Sequence, residues 1–213
     1  NNCIIDPILT LYTQRKSHPV AGLDELANQM TTYTKKKFRD YISYADVTID
    51  DVFSAEQING SYQAHATHFS SSYIENMGDG KFKLHPLPTE AQFAPIYGML
   101  VKDVNGDGNL DVLLTGNSGS TNFMTGQYDA FKGLLLQGDG QNGFSSVSLA
   151  KSGFWATGDQ KSMAEIRTSN DKTLIITLAN SGPAKVFKNR IENINPIKLE
   201  FTDAYADIKL EDG

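Results

Sequence analysis

A chain of 213 residues with a net charge of −6, its Lys, Arg, Asp and Glu interspersed, offers no clustered cationic surface for nucleic acid. Its length suits one domain that buries roughly 70% of the surface its unfolded chain exposes. The single cysteine, Cys3, excludes an internal disulfide, and no apolar run is long enough for a membrane-spanning helix.

In chain order, residues 4–12 (IIDPILTLY) read as a strand. From about Leu23 to Ile58 the period becomes helical. Leu23, Leu26, Ala27 and Met30 share one face, and Phe38, Tyr41, Ile42 and Ala45 share another. Ser54 followed by Gln57 has the spacing of a capping box. This predicts a block of two or three helices over about 22–58, with Lys35, Lys36, Lys37 and Arg39 on a solvated face and Asp24, Glu25, Asp50 and Asp51 as N-terminal helix charges. From Tyr62 onward the chain breaks into short β-runs separated by Gly, Asn and Asp turns: 62–74, 81–84, 96–101, 111–115, 133–137, 144–149, 163–168, 173–179, 184–188 and 197–201. Many short strands at even spacing predict a sandwich, barrel or propeller. The phrases NMGDGKF at 76–82 and GDGQNGF at 138–144 recur about sixty residues apart, a distance close to one propeller blade per repeat.

Between two of the predicted strands lies DVNGDGNLD, residues 103–111. Calcium takes six to eight oxygens at flexible geometry, and a loop with oxygen-bearing side chains at alternate positions and glycines that let it curl supplies them. Asp103, Asn105 and Asp107 would give side chains at the first, third and fifth positions. Asn109 would give its backbone carbonyl at the seventh, and Asp111 a carboxylate at the ninth. The competing reading is a plain Asp- and Asn-rich turn, against which stands the mutual repulsion of three carboxylates in one short loop. An EF-hand needs Glu at the twelfth position, and a dockerin module is similar in placing Asp there. This chain has Leu114, and the flanks read as strands, which argues against a helical calcium module.

A strand, a DxNxDGxxD loop and a strand ending in Gly116-Asn117 resemble the FG-GAP, or VCBS, repeat of integrin-like β-propellers. The phrases at 75–117, 126–144 and 152–159 resemble the VCBS-repeat proteins of Bacteroidetes that carry an ASPIC/UnbV region. Residues 6–19 and 24–53 are similar to an inserted segment of the same subfamily. The resemblance implies a mainly β fold, a partial β-propeller with an inserted α-helical segment: one domain over 1–213, helices at about 22–58 and blades over about 62–213. It implies bound Ca²⁺, export to the cell surface, outer membrane or periplasm, membrane association only through a lipid anchor outside these residues, and no established catalytic activity. Asn2 and Asp6 align with Asp107 and Asp111, so a second calcium loop would begin just before Asn1. The chain opens at Asn1 without Met and stops at Gly213 after a strand-like run, which reads as a piece of a longer precursor carrying about three blades.

Other constellations are weaker. GDGQNG at 138–143 satisfies GxGxxG, but FSSVSL after it alternates like a strand and opens no helix. His65 and His68 fall on opposite faces of a predicted strand, which denies them a shared zinc. His18 and His85 sit beside prolines in predicted turns. Ser118 lacks the flanks of a nucleophile elbow. Asp129 and Asp159 read as turn caps ahead of ligands, and Trp155 as a core aromatic ahead of a sugar platform. Two function classes follow: a non-catalytic module whose loops bind a glycan or protein, and the propeller part of a polysaccharide-acting enzyme. The absence of an acid pair or triad in the sequence favours the first.

Overall fold

The computed structural model describes residues 7–121, 126–169 and 172–189. Cys3, the half-loop at Asn2 and Asp6, and the strand reading at 197–201 lie outside them. The fold is mainly β, built from several small sheets, and among the described residues these do not close into a barrel or ring. The chain divides between Thr67 and His68 into two compact units.

The first unit begins with a hairpin of β1 (Thr10–Thr13) and β2 (Lys16–Pro19), turned at Gln14 and Arg15, both at positive φ. Five short helices follow: α1 (Leu23–Gln29), α2 (Thr31–Lys37), α3 (Tyr41–Tyr44), α4 (Ile49–Val52) and α5 (Ala55–Asn59). Isolated helices this short are marginal in water, so tertiary packing holds them. Leu23 and Leu26 join Phe38, Val47 and Val52 in one apolar core. The first predicted face is confirmed at Leu23, Leu26 and Ala27, all buried. The second is not: Phe38 is buried, but Tyr41 and Ile42 are 60% and 89% exposed. Asp40 explains the difference, because its carboxylate accepts the Ser43 N–H at 2.8 Å and caps a new helix, so Phe38 and Tyr41 belong to different elements. The predicted capping box at Ser54 and Gln57 is present in both directions. Asp24, Glu25, Asp50 and Asp51 occupy first helical turns as expected.

The second unit holds a hairpin of β3 (Ser72–Asn76) and β4 (Phe82–Pro86), a 3₁₀ turn at Thr89–Gln92, and a four-stranded antiparallel meander. The meander runs β5 (Ile96–Lys102), β6 (Asp111–Gly116), β7 (Leu134–Gly138), β8 (Phe144–Val147) in chain order. After α6 (Leu149–Ser152) come β9 (Gln160–Arg167), β10 (Thr173–Ala179) and β11 (Lys185–Lys188), a three-stranded antiparallel sheet. All six residues of β6 are buried. Both of its faces are covered, which is why its sequence is a continuous apolar run and not an alternation. On one face Val112 and Leu114 pair with Leu136 and Leu134 and pack against Ala91, Ala94 and Phe131. On the other, Leu113 packs with Phe154, Ala156 and Ile175, which joins the two sheets.

Several local expectations change. Residues 62–69 carry no regular structure, so His65 and His68 are not strand neighbours; His68 Nε2 lies 2.7 Å from Ser72 Oγ. His18 and His85 sit in strands and not in turns, His18 Nδ1 at 3.0 Å from Val47 O and His85 Nε2 at 2.8 Å from Glu75 Oε2. The core aromatic at 154–155 is Phe154. Trp155 is 51% exposed with Lys132 Nζ at 5.7 Å from its ring centre. No helix among the described residues is long and apolar enough to cross a membrane.

Candidate metal centre

Lys102 and Asp111 face each other across β5 and β6, so residues 103–110 close a hairpin of the meander. The strand context expected for DVNGDGNLD is therefore present, with no helix on either side. Gly106 and Gly108, at φ of +80° and +85°, provide the left-handed steps that a side chain would strain. Around them the side chains cap their own backbone. Asp103 accepts the N–H of Gly106 on Oδ1 at 2.7 Å and that of Gly108 on Oδ2 at 3.0 Å. Asn105 Oδ1 accepts the Asp107 N–H at 2.9 Å, and Asp107 Oδ1 accepts the Asn109 N–H at 2.8 Å. These bonds are Asx turns in series.

Exposure differs along the loop. Asn105 and Asp107 are exposed, Asp103 and Asn109 half-buried, and Asp111 is 1% exposed. The Asn109 N–H, with lesser help from Asn105 and Gln137, holds the Asp107 carboxyl below the usual carboxylate range, so it stays ionised through neutral pH. Asp111 works differently. Its Oδ2 accepts the Val104 N–H at 3.0 Å and its Oδ1 the Gly138 N–H at 3.1 Å, which staples the loop to itself and to β7. Space is tight there: a Cβ on Gly138 would lie 2.2 Å from Leu110 O, and one on Gly140 would lie 2.4 Å from Asn109 Oδ1. Gln137, also on β7, donates from Nε2 to Asp107 Oδ2 at 3.3 Å, beside Asn105 Nδ2 at 2.7 Å from the same oxygen. Neither Gln137 nor the Gly138 N–H belongs to the loop motif. The register that places them, Val112 opposite Leu136, is the only signal for them.

Among the described residues no three His, Cys, Asp or Glu side chains converge into a group able to hold a metal, and each loop carboxylate accepts backbone N–H groups. The donor chemistry still suits a hard cation. Every one of the five side chains carries oxygen, and none is a thiol or imidazole. A carboxylate oxygen that accepts one N–H keeps a second lone pair, and a primary amide offers an acceptor as well as a donor.

Several other polar residues have structural partners. Asp159 pairs with Lys161 at 2.6 Å and accepts from Asn180 Nδ2 at 3.2 Å, and the Lys161 ammonium foremost holds its carboxyl below the usual range. Lys161 Nζ also stands 3.9 Å from the centre of the Tyr97 ring and donates to Asn117 O. Asp139 accepts the N–H groups of Gln141 and Gly143 in the turn between β7 and β8. Asp129 is exposed. Lys37 donates from Nζ to Val52 O at 3.0 Å in the last turn of α2, at the end of the basic run.

No protein-family model matches this chain, and neither a curated protein nor a solved structure does.

Proposed function

We propose that this chain is a calcium-stabilised segment of a β-propeller of the FG-GAP or VCBS kind, a non-catalytic module of an exported cell-surface protein that binds a glycan or protein partner. One observation carries the reading: the DxNxDGxxD turn joins the first two strands of a four-stranded meander that stacks face to face on a second sheet. The open flanks of the stack support it. On the first sheet Met99 and Val101 are 63% and 47% exposed, and the far face of the second shows Ile166, Leu178 and Val186 to solvent. Apolar sheet faces of this kind are what further blades cover. Asp103, Asn105, Asp107, the Asn109 carbonyl and Asp111 would hold the ion, whose charge offsets three carboxylates and tightens the turn. Trp155, half exposed beside Lys132, is a flat apolar surface of the sort that stacks on sugar rings.

Millimolar calcium is expected to raise the melting temperature of the wild-type chain, by linkage of ion binding to the native state. Asp107→Ala, which removes an exposed carboxylate, is expected to abolish that gain and leave the melt in chelator nearly unchanged. A wild-type melt indifferent to calcium and chelator would count against the metal. For the partner, incubation with a panel of polysaccharides and oligosaccharides is expected to give binding without release of shorter products. Turnover would move the chain to the polysaccharide-acting class.

A further inference from the structure

We infer that Trp155 and Lys132 together bind a uronate residue, a sugar that carries a carboxylate on its ring; this rests on the glycan reading above and names the sugar class. Trp155, the only tryptophan of the chain, is 51% exposed. Its neighbours hold it there. Phe154 and Ala156, before and after it, are both buried against Leu113 and Ile175. The Trp155 N–H donates to Gly153 O at 3.0 Å and the Ala156 N–H to Lys132 O at 2.9 Å, so the segments that carry the two side chains are tied to each other. They also touch closely: a Cβ on Gly133 would lie 2.8 Å from Phe154 O and 3.0 Å from Ala156 N. The indole is therefore carried on a fixed backbone, and a group positioned before its ligand arrives gives up little freedom on binding.

The ammonium decides the sugar class. Lys132 Nζ stands 5.7 Å from the centre of the indole and forms no ion pair among the described residues. Lys161 provides the contrast. Its Nζ, 3.9 Å from the centre of the Tyr97 ring, is also paired with Asp159 at 2.6 Å and donates to Asn117 O. One pair of lysine and aromatic ring is thus neutralised and used by the fold. The other keeps a positive charge without a counter-ion beside a half-exposed ring. A sugar that stacks its C–H face on the indole presents a ring carboxylate at the rim of the stack, on the side open to the ammonium. A neutral sugar brings the same face and leaves that charge unanswered.

Tryptophan fluorescence reads the site directly, since the full 213-residue chain has one tryptophan. Oligosaccharides of galacturonate, glucuronate and mannuronate are titrated, each beside its methyl ester of equal length, which keeps the ring and loses the charge. At least one free acid is expected to shift the emission to shorter wavelength and to bind about fivefold tighter than its ester at low salt, the size of one exposed ion pair. That preference is expected to shrink in about 0.5 M salt and to vanish in Lys132→Gln. Trp155→Ala, followed by calorimetry, is expected to lose binding of acid and ester alike with an unchanged melt. Equal affinity of acid and ester, a preference that survives Lys132→Gln, or tighter binding of dextran sulfate than of any uronate would overturn the inference and leave the glycan reading standing. A wild-type chain that binds none of these sugars and no neutral glycan would instead remove the glycan reading itself, and this inference with it.

Discussion

Asp111→Ala is expected to lower the stability of the chain by roughly 3 kcal/mol even with chelator present, because it strands the Val104 and Gly138 N–H groups at a buried position. Asp111 is thus the wrong residue for a clean metal test, although it is the ninth member of the loop motif. On the calcium reading its loss would abolish the response to the ion, and it also breaks the tie between β6 and β7. Asp111→Asn separates the two roles in part. It keeps one acceptor but turns an NH₂ towards the other N–H, so it is expected to recover less than half of the loss. Urea unfolding in chelator measures this directly. An Asp111→Ala chain as stable as wild type would mean that the two N–H groups find other partners.

The second large effect is expected at Asn117, which lies just beyond β6 and is 2% exposed with φ of +92°. Its Nδ2 donates to Phe131 O at 2.7 Å and Gly158 O at 2.9 Å, and its Oδ1 accepts the Phe131 N–H at 2.9 Å. One amide therefore pins the long connection before β7 to the residues that lead into β9. Asn117→Ala removes all three bonds and leaves a Cβ in a backbone conformation that alanine resists, for a loss of about 3–4 kcal/mol. Asn117→Gly relieves the backbone and nothing else, so it is expected to recover about 1 kcal/mol of that loss. The same unfolding measurement on the pair isolates the bonds from the strain. Equal losses for the two variants would show that the positive φ costs nothing here.

What was legible in the sequence followed local rules. The strands around DVNGDGNLD announced themselves as apolar, β-branched runs, and the Ser54 and Gln57 capping box needed only four residues. The curl of the loop was legible too, since its glycines and alternate Asp and Asn residues bond within a few positions of themselves. Reading failed where a partner lay far along the chain or where a cap overruled a period. Asp40 starts a fresh helix, so the stripe drawn from Phe38 to Ala45 crosses an element boundary and leaves Ile42 in water. At 154–155 two adjacent aromatics point to opposite sides, and composition alone does not say that Phe154 and not Trp155 meets Ile175. The alternation at 62–69 resembles a strand, but Tyr62 and Phe69 stay exposed there. The roles of Gln137 and Gly138 depend on register, a property of the sheet and not of either segment.

The turn at 103–110 is wound by its own N–H to side-chain bonds. On the calcium reading proposed above, a cation held there would order little chain and so surrender little conformational entropy, unlike the ions that many small metal domains require in order to fold at all. Filling and emptying would then track the free ion in the surroundings without unfolding the sheet, and the metal would trim a shape that the backbone has drawn in advance.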